Sequence, residues 1–169
     1  MRLFIAVNFN DALTNALIDV QDQIWDAGVD GNYTREENFH LTLAFIGEYS
    51  DPERVLDALR RVSFTPFLLS LEGVGAFEGL WWAGLHDSDE LNALARRLRH
   101  TLADAGIPFD RKRFSPHITL IRRPSKPGLP EIAVPKASMT VRRVSLMRSD
   151  RGRNGMIYTE IGGVDALVI

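Results

Sequence analysis

Two tetrapeptides of this 169-residue chain pair an imidazole with a hydroxyl. They are His40-Leu41-Thr42-Leu43, inside ENFHLTLAFIGE, and His117-Ile118-Thr119-Leu120, inside RFSPHITLIRR. The chain has four histidines, so half of them stand in near-copies of one motif. Successive side chains of a strand point to opposite faces. His40 and Thr42 therefore share one face and Leu41 and Leu43 the other; His117 and Thr119 stand in the same relation to Ile118 and Leu120. The aliphatic residues serve a core while each His/Thr pair looks away from it. Where two such strands meet across a cleft, two imidazoles and two hydroxyls converge on one small volume.

That set of groups suits phosphoryl chemistry. With an unperturbed pKa of about 6.5, one imidazole can be neutral while another is protonated near neutral pH. In-line displacement at phosphorus needs a base for the attacking oxygen and an acid for the leaving one. His40 and His117 supply the pair, and the Thr42 and Thr119 hydroxyls can hold the non-bridging oxygens. No metal is required by this arrangement. One His-x-Thr strand alone reads as structural; the repetition gives the motif its weight. Zinc ranks low, because the chain has no cysteine and neither motif has His-x-His or His-x₃-His spacing. His86, at a strand end, and His100, on an arginine-rich helix face, read as surface residues.

The surrounding pattern predicts the elements that must position these groups. RLFIAVNF alternates as a strand. Leu13, Ala16, Leu17, Val20 and Ile24 follow helical spacing until Gly28. A second helix starts at Asp51 and Pro52 and buries Val55, Leu56, Leu59 and Val62. FLLSLEGVGAF and LWWAGLH form a hairpin, and Leu91, Leu94, Ala95, Leu98 and Leu102 line a third helix that ends at Gly106 and Pro108. After the second motif strand comes a proline-rich loop. Two strands then follow, ASMTVRRVSLMRS and MIYTEIGG, around a DRGRNG turn. The order β-α-β-α-β-β-α-β-β-β, with one motif strand in each half, suggests an internal duplication and a bilobal α+β domain over residues 1–169.

Composition bounds the function classes. With 45% hydrophobic and 25% charged residues the chain reads as globular. The absence of cysteine excludes disulfides and thiolate nucleophiles and fits a reducing compartment. The opening MRLFIAVNFN lacks a small-residue cleavage pattern, and no apolar run approaches the ~18 residues of a membrane span. A cytoplasmic protein with no membrane partner is expected. The net charge of −2 is uneven: residues 1–85 carry 5 Lys/Arg against 13 Asp/Glu, and residues 86–169 carry 15 against 9. A basic half can attract a phosphate-bearing partner; charge alone favours the plainer reading, a solvated face balanced by the acidic half.

HLTLAFIGE and FSPHITLIR resemble the two signatures of the two-histidine phosphoesterases. Together with RLFIAV, WAGL and LMRSDRGRNGMIY, they are similar to the RNA 2′,3′-cyclic phosphodiesterases, also called 2′-5′ RNA ligases. The resemblance implies two pseudo-symmetric, mainly antiparallel sheets flanked by helices around a central cleft. It implies metal-independent, cofactor-free opening of a terminal 2′,3′-cyclic phosphate to a 2′-phosphate, with 2′-5′ ligation as the reverse reaction. Carried onto this chain, His40 is the proton donor, His117 the proton acceptor, and Thr42 and Thr119 hold the phosphate. Arg122, directly after the second motif, is a phosphate or ribose contact. Ser149 and Arg153 correspond to the family's late strand and turn, and Phe4, Phe45 and Trp82 are candidates to stack a terminal base. The implied partners are RNA ends with a 2′,3′-cyclic phosphate, including tRNA fragments, met by a monomer. Two rival readings stand beside this one: a phosphodiesterase for a small nucleotide such as ADP-ribose cyclic phosphate, and an RNA-end binding module without catalysis.

Overall fold

The computed structural model describes residues 1–168. In chain order it comprises β1 (Arg2–Asn8), α1 (Asp11–Asp26), β2 (Asn32–Tyr33), a 3₁₀ turn (Glu36–Asn38), β3 (His40–Glu48), α2 (Pro52–Arg60), β4 (Phe67–Phe77) and β5 (Leu80–Leu85). It continues with α3 (Asp89–Asp104), β6 (Ile118–Arg122), β7 (Ser138–Val141), β8 (Arg143–Gly152) and β9 (Gly155–Asp165). The strands form two antiparallel sheets, ordered β3-β1-β8-β9 and β2-β6-β5-β4-β7. Read outward from the motif strands, β3-β1-β8-β9 and β6-β5-β4-β7 are the same arrangement, which is the expected pseudo-symmetry.

The helices follow from their sequences. Each starts on a side chain that accepts an otherwise orphaned amide N–H: Asn10 from Leu13 at 3.0 Å, Asp51 from Arg54 at 3.2 Å and Ser88 from Leu91 at 3.1 Å. The apolar stripes of α1 and α3 are buried residue for residue as the spacing predicts. Leu41, Leu43, Ile118 and Leu120 are fully buried in one continuous core with those stripes. The non-motif faces of both motif strands are thus fixed by hydrophobic burial.

Two features depart from the sequence pattern. The expected strand ASMTVRRVSLMRS is two strands in different sheets: β7 pairs with β4, and β8 pairs with β1 and β9. The break falls at Arg142, where buried Val141 and Val144 are three residues apart, so no single flat strand can keep both on one face. The lobes are also not the halves of the chain. β8 and β9 return to complete the sheet that β1 and β3 begin, and the two-residue β2 crosses to the sheet of β6. The charge difference between the halves is therefore spread over both lobes.

Candidate active site

The two motif strands face each other across a cleft of about 780 Å³, within the usual range for ligand sites. His40, Thr42, His117, Thr119 and Arg122 all line it. Each imidazole is held in the same manner. His40 Nδ1 lies 2.8 Å from the Asn38 carbonyl, and His117 Nδ1 lies 2.8 Å from the Ser115 carbonyl. A carbonyl only accepts, so Nδ1 carries the proton in both rings, and Nε2 is the atom free to take up or release one.

The environments of the two Nε2 atoms differ. His40 Nε2 is 3.0 Å from Thr42 Oγ1, and the ring is walled by Phe4 and Tyr158 at centroid distances of 4.9 and 5.2 Å. Burial holds the His40 pKa below its ordinary value. The Asn38 carbonyl opposes that shift, while the positive charges of Arg122 and His117 add to it. His117 sits just ahead of β6 with Phe77 edge-on at 5.2 Å.

Backbone irregularity completes the set. In β3, Ile5 pairs with Ala44 and Ala6 with Thr42, so Leu43 is an extra residue. In β6, Trp81 pairs with Ile121 and Trp82 with Thr119, so Leu120 is extra. A bulge of this kind reverses the alternation beyond it. Phe45 and Arg122, each three residues after its threonine, therefore come to the cleft face, where strict alternation places Ala44 and Ile121.

The remaining candidates divide. Ser149 lines the cleft and is 8% exposed. Phe45 lines it with the Arg2 guanidinium over its ring, 5.0 Å from the centroid. Phe4 also lines the cleft, buried against Ala6 and Met147, and forms the wall beside His40. Trp82 stands outside the cleft lining, 6.4 Å from His117. It packs toward β4, where a Cβ on Gly75 would come within 2.2 Å of the indole. Arg153 lies at the exposed tip of the β8–β9 hairpin, also outside the lining; Arg151, on the cleft face of β8, lines it instead. His86 and His100 are exposed partners of Glu72 and Asp104.

Sequence reasoning passed over Asn38 and Tyr158. Asn38 gives its carbonyl to His40 and its side-chain amide to the Met156 carbonyl at 2.9 Å, tying the His40 strand to β9. Tyr158 belongs to a strand whose pattern did not say which face meets the cleft. Arg99 of α3 was also missed. It donates to the Leu43 carbonyl at 3.2 Å and the Lys112 carbonyl at 2.6 Å, joining β3 to the loop that leads to His117. Among the described residues no group of three or more His, Cys, Asp or Glu side chains is placed to ligate a metal.

This geometry meets known proteins over nearly its whole length. Residues 13–153 match the model of the 2′-5′ RNA ligase superfamily. The chain belongs to that superfamily. It is 34% identical to the RNA 2′,3′-cyclic phosphodiesterase of Archaeoglobus fulgidus, over 95% of this chain and 98% of that one. It is 30% identical to the protein of the same name from Thermotoga maritima, over 94% and 91%. The crystal structure of Escherichia coli LigT without ligand superposes with a TM-score of 0.83 at 26% identity, covering 98% of this chain and 96% of LigT. LigT has also been crystallised with 3′-AMP. The superfamily's bilobal α+β architecture is the one described above.

Proposed function

We propose that this enzyme hydrolyses the 2′,3′-cyclic phosphate at an RNA end to a 2′-phosphomonoester, with 2′-5′ ligation as the reverse reaction. One observation carries the reading: two imidazoles, each fixed by an Nδ1–H bond to a main-chain carbonyl, turn Nε2 toward the same cleft as two threonine hydroxyls and a guanidinium. His117 Nε2 takes a proton from water as the water oxygen bonds to phosphorus. The P–O3′ bond breaks opposite it, and His40 Nε2–H delivers a proton to O3′. Thr42, Thr119 and Arg122 bind the non-bridging oxygens and keep the displacement in line.

The half-buried setting of His40 supports its role as donor to a leaving oxygen held inside the substrate. Burial lowers the His40 pKa in the free protein, and a phosphate anion bound beside the ring acts the other way, favouring the imidazolium that donates the proton. Phe45 is the best-placed support for the terminal nucleoside, with Ser149 beside it; Phe4 borders the His40 ring directly, and Trp82 backs Phe77 beside His117. tRNA fragments, a cytoplasmic setting and action as a monomer with no metal belong to the same reading. It is supported further by the relatives, which are named for RNA 2′,3′-cyclic phosphates.

The test is incubation of metal-stripped protein, with EDTA present, on an oligonucleotide ending in a 2′,3′-cyclic phosphate, followed by mapping of the product. A 2′-phosphate formed at the undiminished rate is expected. A 3′-phosphate product, or a rate lost on chelation and restored by zinc or manganese, overturns the proposal. Binding without turnover supports the end-binding module instead.

A further inference from the structure

Three cations, Arg2, Lys112 and Arg151, line the cleft on the elements around Phe45 and Ser149. Arg2 reaches over the Phe45 ring. The Asp110 N–H donates to the Phe45 carbonyl at 2.8 Å and so docks the loop that carries Lys112. Ser149 stands opposite Arg2 in the β1–β8 register, and Arg151 follows two residues later on the same face. All three cations line the cleft, and none has a carboxylate within 4.0 Å among the described residues. Arginines elsewhere on the same strands are paired: Arg148 with Asp150 at 2.9 Å, and Arg143 with Glu160 and Asp165 at 3.0 and 2.8 Å. The carboxylate on the cleft lining, Asp110, accepts the main-chain N–H of Lys112. Like charges collected without counter-ions repel one another, and a bound anion relieves that repulsion.

We infer that this cluster is a second phosphate site, one that takes the 5′-phosphoryl group of the nucleoside bearing the cyclic phosphate. The inference rests on the cyclic-phosphate reading above. Strand register sets the scale. Thr42 is opposite Ala6, and Phe45 is opposite Phe4, one same-face step of roughly 7 Å along β1. The scissile phosphate is held at the Thr42 level by Thr42, Thr119 and Arg122. A phosphate beside Phe45 is therefore a different one, separated from the first by a ribose. A phosphodiester in RNA and the 5′-phosphate of a small nucleotide share this chemistry.

The experiment compares three substrates in the full-length protein. They are a nucleoside 2′,3′-cyclic phosphate with a 5′-hydroxyl, the same compound with a 5′-phosphate, and a dinucleotide ending in a cyclic phosphate. The wild type should turn over both 5′-phosphorylated substrates with kcat/KM about tenfold or more above the first, the gain of a charge-assisted contact. The larger gain on the dinucleotide or on the 5′-phosphate identifies the source of the phosphoryl group. K112Q/R151Q should remove most of the gain while the 5′-hydroxyl substrate changes by less than about twofold. Arg151→Gln alone, at an exposed position, should remove part of it without any risk to folding. The gain should also fade with salt in the wild type and far less in the double variant. Equal wild-type rates on all three substrates, a gain that survives undiminished in K112Q/R151Q, or an equal fall on all three overturns the second site. Absence of turnover on every substrate in the wild type refutes the cyclic-phosphate reading itself, a separate outcome.

Discussion

Replacing Arg122 with glutamine separates two effects of one guanidinium. Arg122 is exposed at the end of β6, so the change removes no core packing and should alter stability by no more than about 0.5 kcal/mol. Its charge nevertheless reaches His40 and helps to hold that pKa below its ordinary value, after burial as the main cause. A neighbouring positive charge disfavours imidazolium, so its removal must raise the His40 pKa toward about 6.5. Burial persists, so the rise stays incomplete. With His40 as proton donor, the alkaline limb of kcat/KM follows its pKa in the free enzyme and moves to higher pH. The substrate phosphate loses a charge-assisted contact worth about 1.5–3 kcal/mol, a roughly 10- to 100-fold fall in kcat/KM at the pH optimum. Imidazole ¹⁵N NMR of the free protein reads the pKa, and a pH series on a cyclic-phosphate oligonucleotide reads the limb and the rate. A His40 titration that stays fixed or moves down would refute the electrostatic coupling. An unchanged kcat/KM would refute the phosphate contact.

His40→Ala and His117→Ala should each lower kcat by roughly 10²–10⁴-fold with circular dichroism unchanged, and full activity in either variant sinks the two-histidine mechanism. Thr42→Val and Thr119→Val should cost about one to two decades of rate, since each removes a hydrogen bond but no proton carrier; wild-type rates in both would turn the hydroxyls away from the phosphate. The depressed His40 pKa also bears on stability. The unfolded chain takes up this proton first as pH falls below about 6.5, so the folded state loses stability from there down through the folded-state pKa. Thermal melts of His40→Gln should show a shallower loss of Tm over that window than the wild type, and parallel curves would contradict it. Arg99→Met should leave the Leu43 and Lys112 carbonyls without their donor, at about 1–3 kcal/mol for each that stays buried, read as a lower urea midpoint.

The site was legible in part because its chemistry and its burial obey the same period. Alternation in HLTL and HITL puts the imidazole and hydroxyl on one face and the aliphatic residues on the other, and the core holds those aliphatic residues fully buried. The helices were legible for the same local reason: their caps and stripes are written within one or two turns of chain. Asn38 was not legible, because its contribution to His40 is a main-chain carbonyl, which every residue type possesses. The sequence resemblance singled out Arg153 and passed over Arg151. Only pairing in the β8–β9 hairpin sends one to the cleft lining and the other to the exposed tip.

The amino-acid order by itself determined the two His-x-Thr strands, the three helices with their buried faces and the acid–base chemistry on offer, all of which depend on neighbours a few residues away. Tertiary structure decided the rest. The division of residues 138–152 between two sheets is set by partners far along the chain, β4 for one piece and β1 and β9 for the other. The arrival of Phe45 and Arg122 in the cleft is set by bulges at Leu43 and Leu120, which exist only in relation to β1 and β5. A bulge is a mismatch in count between two paired strands. No single strand carries that count, so the face on which Phe45 and Arg122 stand was fixed only when the sheets formed.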